Sequence, residues 1–105
     1  SSHPNYLYRM TTIFAVTTMS QSLDSDTIIN FILGALLNMV QDPIPNIRFN
    51  VAKAFEALIH ELESSPAGVL VIKDQIVPAL QSLHDDRDAD VRYYAQRALQ
   101  AAQVL

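Results

Sequence analysis

Residues 42–58 read DPIPNIRFNVAKAFEAL, and this stretch decides the fold of the chain. Pro43 and Pro45 indicate that one helix ends here and the next begins. Proline is tolerated at the first position of a helix, because the N–H that it lacks would have no partner there. Five apolar side chains then recur at the spacing of one helical face: Ile47, Val51, Ala54, Phe55 and Leu58. The stretch therefore predicts a tight turn followed by an amphipathic helix.

The same pattern returns later in the chain. A shift of 44 residues places Arg48 on Arg92 and Asp42 on Asp86. A fainter copy lies upstream, where Arg9 precedes Arg48 by 39 residues. Repeats of about 40 residues, each built as helix–turn–helix, are typical of helical solenoids. The turn–apolar–Arg pattern resembles the HEAT class of these repeats.

The pattern predicts an all-α fold, a HEAT-repeat solenoid fragment of five helices that form half a repeat and then two full repeats. The helices are expected at about 6–20, 26–41, 45–62, 69–84 and 89–104, all within one segment, 1–105. Asn5, Asp26 with Thr27, and Asp88 are the expected helix caps. Pro78 falls inside the fourth helix and should bend it.

A solenoid that opens on the second helix of a pair leaves one helix face without a neighbour. The apolar side chains expected on that open face are Met10, Ile13, Phe14 and Val16. Self-association through the first helix is therefore predicted. The last helix carries the polar side chains typical of a terminal cap: Arg92, Gln96, Gln100 and Gln103.

Composition excludes several classes of function. The formal net charge of −4 and only 7 Lys and Arg argue against nucleic acid or an anionic membrane as a partner. There is no cysteine, so disulfides and thiolate metal sites are excluded. The longest apolar stretch, 31–37, is far shorter than the ~20 residues of a membrane-spanning helix. No signal peptide is expected from the polar residues 1–4.

Catalytic and metal-binding patterns are weak. The turn His84-Asp85-Asp86 could in principle hold a divalent metal, but a solvated acidic turn is the favoured interpretation because a fourth ligand is absent. His60-Glu61 begins like a zinc-protease helix, yet Ser64 stands where the second histidine is needed. The sequence therefore predicts no metal, no cofactor and no catalytic residue.

Three arginines share one position near the start of successive second helices: Arg9, Arg48 and Arg92. A cation is unfavourable at a helix N-terminus, so an aspartate from an adjacent turn should hold each one. Asp42 with Arg92, or Asp86 with Arg48, would form such a ladder between repeats, with partner contact as the alternative role.

Phe49 and Tyr93 also occupy equivalent positions. They either pack against the neighbouring repeat or face a partner, since aromatic side chains dominate interface energetics.

Four strings together resemble one family in chain order. They are HPNYLYRMTT at 3–12, DP at 42–43, NIRFNVAK at 46–53 and DADVRYYAQ at 88–96. They are similar to the last repeats of the scaffold (A) subunits of protein phosphatase 2A. The resemblance implies a non-catalytic scaffold with a cytoplasmic location, and an additional nuclear location is left open. It implies that the catalytic subunit docks on the turns of these repeats and that B-type regulatory subunits bind through the N-terminal repeats.

The docking turns implied by the resemblance fall on eight positions of this chain: Asn5, Tyr6, Pro43, Ile44, Asn46, Arg48, Arg87 and Asp88. Two rival functions remain. One is a HEAT array of another class, such as a nuclear transport receptor. The other is an enzyme built on HEAT-like repeats, such as a lyase or a DNA glycosylase, which would need a buried acid or a basic groove.

Overall fold

A computed structural model describes residues 4–105, which form five helices joined by short turns and contain no strand. Helix α1 spans Pro4–Met19 and ends in a 3-10 turn, Ser20–Ser22. Helix α2 is continuous but has three parts: Ser25–Thr27, a π segment at Ile28–Ile32, and Leu33–Leu37. The predicted all-α architecture of five helices is confirmed.

The remaining three helices complete two helical hairpins. Helix α3 spans Pro45–Leu62. Helix α4 again has three parts: Pro66–Val71, a π segment at Ile72–Ile76, and Val77–His84. Helix α5 spans Ala89–Gln103. Pro78, the residue expected to bend α4, lies two residues after the π segment, at the second position of the α-helical part Val77–His84.

The capping residues predicted for α1 and α2 are wrong. Helix α1 begins at Pro4, so Asn5 lies inside the helix instead of capping it. Asp24, not Asp26 or Thr27, caps α2, and its Oδ1 accepts a hydrogen bond from Thr27 N–H at 2.8 Å. Asp24 holds the extended backbone of a cap residue, which frees its carboxylate to reach the first helical turn.

Two further bounds differ from the predicted ones. Helix α2 ends at Leu37 and residues 38–41 form turns, whereas the prediction extended it to 41. Helix α4 begins at Pro66 instead of 69, because Ser65 Oγ accepts from Gly68 N–H at 3.0 Å and caps the helix there. Asp88 caps α5 as predicted, and its Oδ1 accepts from the N–H groups of Asp90 and Val91.

The core lies along α3, which packs against α1 on one side and α5 on the other, while α4 packs against α5. Phe55 is its largest fully buried side chain. Ile47 and Val91, which are equivalent in the repeat, are both fully buried at the start of their helices. The two hairpins therefore stack side by side with their turns at one edge, in a body of 40 × 25 × 17 Å.

The predicted open face of α1 is partly wrong. Ile13 and Val16 are buried, with 4% and 6% of their surface exposed, and Met10 is half-buried. Phe14 is 74% exposed as expected. The difference is one of helix phase, because residues 13 and 16 share the face that meets the core whereas residue 14 points away from it. Within residues 4–105, no helix is long and apolar enough to cross a membrane.

Candidate functional site

The two turns between paired helices have the same internal construction. Asp42 Oδ1 accepts a hydrogen bond from Ile44 N–H at 3.0 Å, and Asp86 Oδ1 accepts from Asp88 N–H at 2.9 Å. An aspartate that binds the N–H two residues ahead closes a turn without help from neighbouring helices. Asp42 thus satisfies the N–H of Ile44, the cap residue of α3, whose own side chain makes no capping hydrogen bond.

An arginine ladder joins each turn to the previous repeat. Arg48 approaches Asp86 with a two-pronged contact, Nε to Oδ2 at 2.7 Å and Nη2 to Oδ1 at 3.1 Å. Its third nitrogen, Nη1, donates to the carbonyl of Asp42 at 2.7 Å. Arg48 therefore ties its own turn to the next one through three hydrogen bonds.

The same contact is repeated one step earlier, where Arg9 Nε lies 2.6 Å from Asp42 Oδ2 and its Nη2 donates to Oδ1 at 3.3 Å. The pairing suggested between Asp42 and Arg92 is wrong, because the carboxylate of Asp42 is bound by Arg9, from the preceding repeat. Arg92 instead donates from Nη1 to the carbonyl of Asp86 at 2.8 Å.

The environment of Asp86 favours its charged form. Burial raises the pKa of this carboxyl, but the hydrogen bonds from Arg48 and from Asp88 N–H, together with the charge of Arg48, outweigh burial. The pKa of Asp86 therefore lies below its ordinary value, and the carboxylate stays charged at neutral pH.

Two of the proposed docking residues join helices instead of facing outward. Asn46 Nδ2 donates to the hydroxyl of Tyr6, which links α3 to α1. Asn50, for which the repeat pattern predicts no role, donates from Nδ2 to the carbonyl of Asn46 at 2.7 Å, and Nδ2 lies 4.0 Å from Met10 Sδ. Its spacing of four residues from Asn46 is the only sequence signal for this role.

An aromatic cluster joins α3 to α5. Phe49 stacks on Tyr94 with ring centroids 5.6 Å apart, and Lys53 Nζ lies 5.2 Å from the Tyr94 ring centre. Tyr93 meets the edge of Tyr94 at 5.1 Å and keeps 57% of its surface exposed. Phe49 therefore packs between repeats, whereas most of Tyr93 remains accessible to a partner.

The outer edge of the turns, here called the turn ridge, consists of residues 5–6, 43–48 and 86–88. Asn5, Pro43 and Arg87 are exposed on it, and Ile44 is half-buried. A shallow cavity of about 280 Å³ opens on the ridge and is lined by Pro43, Pro45, Arg48, Arg87 and Asp88. In residues 4–105, no group of three or more His, Asp and Glu side chains is placed to hold a metal ion. The exposed and half-buried groups of the ridge are thus apolar, amide and guanidinium groups.

Comparison with known proteins identifies the repeat and its relatives. The HEAT repeat family matches residues 32–62. The chain is 63% identical over 57 residues, 54% of its length, to the A-type regulatory subunit of protein phosphatase PP2A from Schizosaccharomyces pombe. It is 35% identical over 102 residues, 96% of its length, to the subunit of the same name in Saccharomyces cerevisiae.

A third relative belongs to another phosphatase. The chain is 27% identical over 94 residues, 88% of its length, to serine/threonine-protein phosphatase 4 regulatory subunit 1 of Mus musculus, of which it covers 10%. It spans 10% of the length of the S. pombe relative and 16% of the S. cerevisiae relative. The likeness to the S. cerevisiae protein therefore extends over almost the whole chain but over a small part of that protein.

Proposed function

Because this chain is a HEAT-repeat segment whose homologues are the A-type regulatory subunits of protein phosphatase PP2A, we propose that it is a non-catalytic scaffold that docks a phosphatase catalytic subunit on its turn ridge. In a longer array of such repeats, other repeats would hold a regulatory subunit of the B type.

One observation supports this proposal: the same hydrogen bonds fix both turns, and the two turns lie side by side at one edge of the repeats. The Asx turn at Asp42 and the one at Asp86 are tied together through Arg48. A surface that is ordered before binding loses little conformational entropy when a partner arrives. The exposed side chains between these fixed points would then provide the contacts.

The eight docking positions divide into two groups by their contacts. Tyr6, Asn46, Arg48 and Asp88 make hydrogen bonds within the chain, so their main role is to shape the ridge. We assign direct contact with the catalytic subunit to the other four, which are exposed or half-buried: Asn5, Pro43, Ile44 and Arg87.

The test uses a double variant of the ridge, Ile44→Asp with Arg87→Glu. It changes two side chains on the ridge and replaces neither Tyr6, Asn46 nor any residue of the arginine ladder. Lys73→Glu is the matched control, because Lys73 is exposed on α4 outside the ridge and the change in charge is the same as at Arg87. Binding to purified PP2A catalytic subunit is measured by isothermal titration calorimetry, with circular dichroism as the check on folding.

We expect the double variant to bind at least ~10-fold more weakly than wild type, which corresponds to the loss of one or two good interface contacts. The control should bind as wild type does. Equal binding by the double variant, or equal weakening by the control, would reject the ridge assignment. Absence of wild-type binding, or preferential binding to the catalytic subunit of phosphatase 4, would reject the PP2A docking role of this segment.

A further inference from the structure

The cavity on the turn ridge lies between two successive turns, inside the stack of repeats. Pro43, Pro45 and Arg48 line it from the first turn, and Arg87 and Asp88 line it from the second. Further repeats packed on α1 or on α5 would lengthen the row of turns and leave this cavity between the same two. Pro43 is the equivalent of Arg87 and stays exposed although another turn follows it. Arg87 should therefore stay exposed in a longer array as well.

The polar walls of the cavity differ in what they can still bind. Arg48 uses Nε, Nη1 and Nη2 in its hydrogen bonds to Asp86 and to the carbonyl of Asp42. Asp88 Oδ1 accepts from two backbone N–H groups at the start of α5. In the part of the chain that the structure describes, no ion pair or side-chain hydrogen bond involves the guanidinium of Arg87. Arg87 is therefore the polar wall that remains available to a partner.

The charges around the cavity disfavour a charged occupant. A carboxylate drawn to Arg87 would also approach the carboxylate of Asp88 in the same wall and that of Asp86 beside it. An ammonium or guanidinium drawn to Asp88 would meet Arg48 and Arg87 instead. Since like charges repel at these separations, an uncharged side chain is the occupant that avoids both penalties.

The remaining walls favour an aromatic ring among the uncharged side chains. Pro43 and Pro45 present two rigid rings, which pack against an apolar surface without losing side-chain freedom. The guanidinium of Arg87 is planar and can stack on the face of an aromatic ring, whereas an aliphatic side chain would gain little from it. The volume of about 280 Å³ lies just below the range of ligand pockets, which suits a single side chain.

We propose that the ridge cavity is a subsite for one aromatic side chain of the docked catalytic subunit, held between the rings of Pro43 and Pro45 and the guanidinium of Arg87. The inference rests on the proposed function and deepens it, because it names the chemical group that the ridge recognises. Aromatic side chains that fill a pocket contribute much of the binding energy of an interface. This subsite should therefore provide a large share of the affinity of the ridge.

Isothermal titration calorimetry of the whole chain with purified PP2A catalytic subunit tests the two kinds of wall separately. Arg87→Lys keeps the charge but loses the planar face, and it should weaken binding about 5-fold. Pro45→Ala removes one ring at a first helical position that alanine also accepts, and it should weaken binding about 5-fold as well. Circular dichroism checks that each variant is folded.

Each of these variants has a matched control outside the ridge. Arg97→Lys makes the same change at an arginine of α5 whose side chain is 51% exposed. Pro66→Ala makes the same change at the first position of α4, at the opposite end of the helices from the turn ridge. Both controls should bind the catalytic subunit as wild type does.

An NMR measurement on wild type identifies the occupant and does not depend on how any variant folds. The chain has five arginines, so the side-chain Nε–Hε groups give few signals, and the signal missing from Arg87→Lys belongs to Arg87. When the catalytic subunit binds, an aromatic ring over the guanidinium should move this proton upfield, because protons above the face of a ring are shielded. A carboxylate bonded to the same group would move it downfield.

The outcomes separate this subsite from the docking role itself. Absence of wild-type binding would overturn the docking role and the subsite together. If wild type binds and Ile44→Asp with Arg87→Glu weakens binding, unchanged affinities of Arg87→Lys and Pro45→Ala would overturn the subsite alone. The subsite would also be overturned by equal weakening in the controls, or by an Arg87 signal that moves downfield or does not move.

Discussion

Replacing Arg48 with methionine should strongly destabilise the chain, although the new side chain keeps most of the apolar stem. Arg48 makes two hydrogen bonds to Asp86 and one to the carbonyl of Asp42. Only 13% of its side chain and 12% of that of Asp86 are exposed. The substitution would therefore leave a nearly buried carboxylate with Asp88 N–H as its main partner.

The expected loss follows from these contacts. A hydrogen bond to a charged group contributes about 1.5–3 kcal/mol, and breaking a fully buried ion pair costs about 3–5 kcal/mol. Since Asp86 retains some exposure and one backbone bond, we expect a loss of about 3 kcal/mol for Arg48→Met. For a domain of this size that corresponds to a fall in melting temperature of about 10–20 °C.

Arg92→Met is the matched control, because Arg92 holds the equivalent position one repeat later. It is exposed and makes one hydrogen bond, to the carbonyl of Asp86 at 2.8 Å. Its loss should cost about 0.5 kcal/mol. Urea unfolding followed by circular dichroism measures both variants. Equal destabilisation by the two substitutions would show that the carboxylate contact does not hold the repeats together.

Two further predictions concern acid sensitivity and close packing. Although burial opposes them, hydrogen bonds hold the pKa of Asp86 below its ordinary value, so its contribution is present above about pH 4 and lost as pH falls through the lowered folded-state pKa. Urea unfolding at a series of pH values should therefore show a smaller loss of stability below pH ~4 in Asp86→Asn than in wild type, and parallel curves would contradict this. Gly68→Ala should destabilise by about 2 kcal/mol in thermal unfolding, since an added Cβ would collide with the carbonyl oxygen of Leu62. At Gly34 an added Cβ meets no atom within 4 Å, so Gly34→Ala should instead stabilise the chain by about 0.5–1 kcal/mol. A loss of stability in this variant would contradict the open space around Gly34.

The third helix was predictable to the residue because two local signals agree with its packing. Pro45 suits the first helical position, and the apolar stripe continues without interruption to Leu62. The same proline rule applies at Pro4, where the preference of Asn5 for a cap position competed with it. The start of a helix is predictable when the preferences of neighbouring residues agree. The prediction fails when a proline that favours the first helical position and a residue that favours the cap position lie one residue apart.

The ladder shows what a single repeat pattern cannot determine. The repeat pattern allows Arg48 to pair with Asp86, and it equally allows Arg92 to pair with Asp42. Whether an arginine reaches forward or backward depends on the direction in which the repeats stack, which is a property of the packed array. The burial of Ile13 beside the exposure of Phe14 has the same origin, because a helical stripe does not reveal which of its sides meets the neighbour.

The π segments were not predicted, since a single wide turn hardly disturbs an apolar pattern read over a whole helix. They begin at Ile28 and Ile72, 44 residues apart, and both residues are fully buried. Two positions beyond each segment stand Gly34 and Pro78, which are also equivalent. Neither residue suits the interior of an ordinary α-helix, and each stands at the second position of the α-helical part that follows a π segment.

The paired π turns also bear on how the length of such a repeat can change. A π turn contains one residue more than an α turn, so each first helix holds a surplus residue at a fixed place. Deleting a residue there would tighten the turn and leave the rest of the helix in phase with its neighbours. The same deletion in the middle of α3 would rotate every later side chain by about 100° and expose the buried face. Deletions of one residue should therefore be tolerated at 28–32 and 72–76, whereas one-residue deletions should be excluded from the second helices.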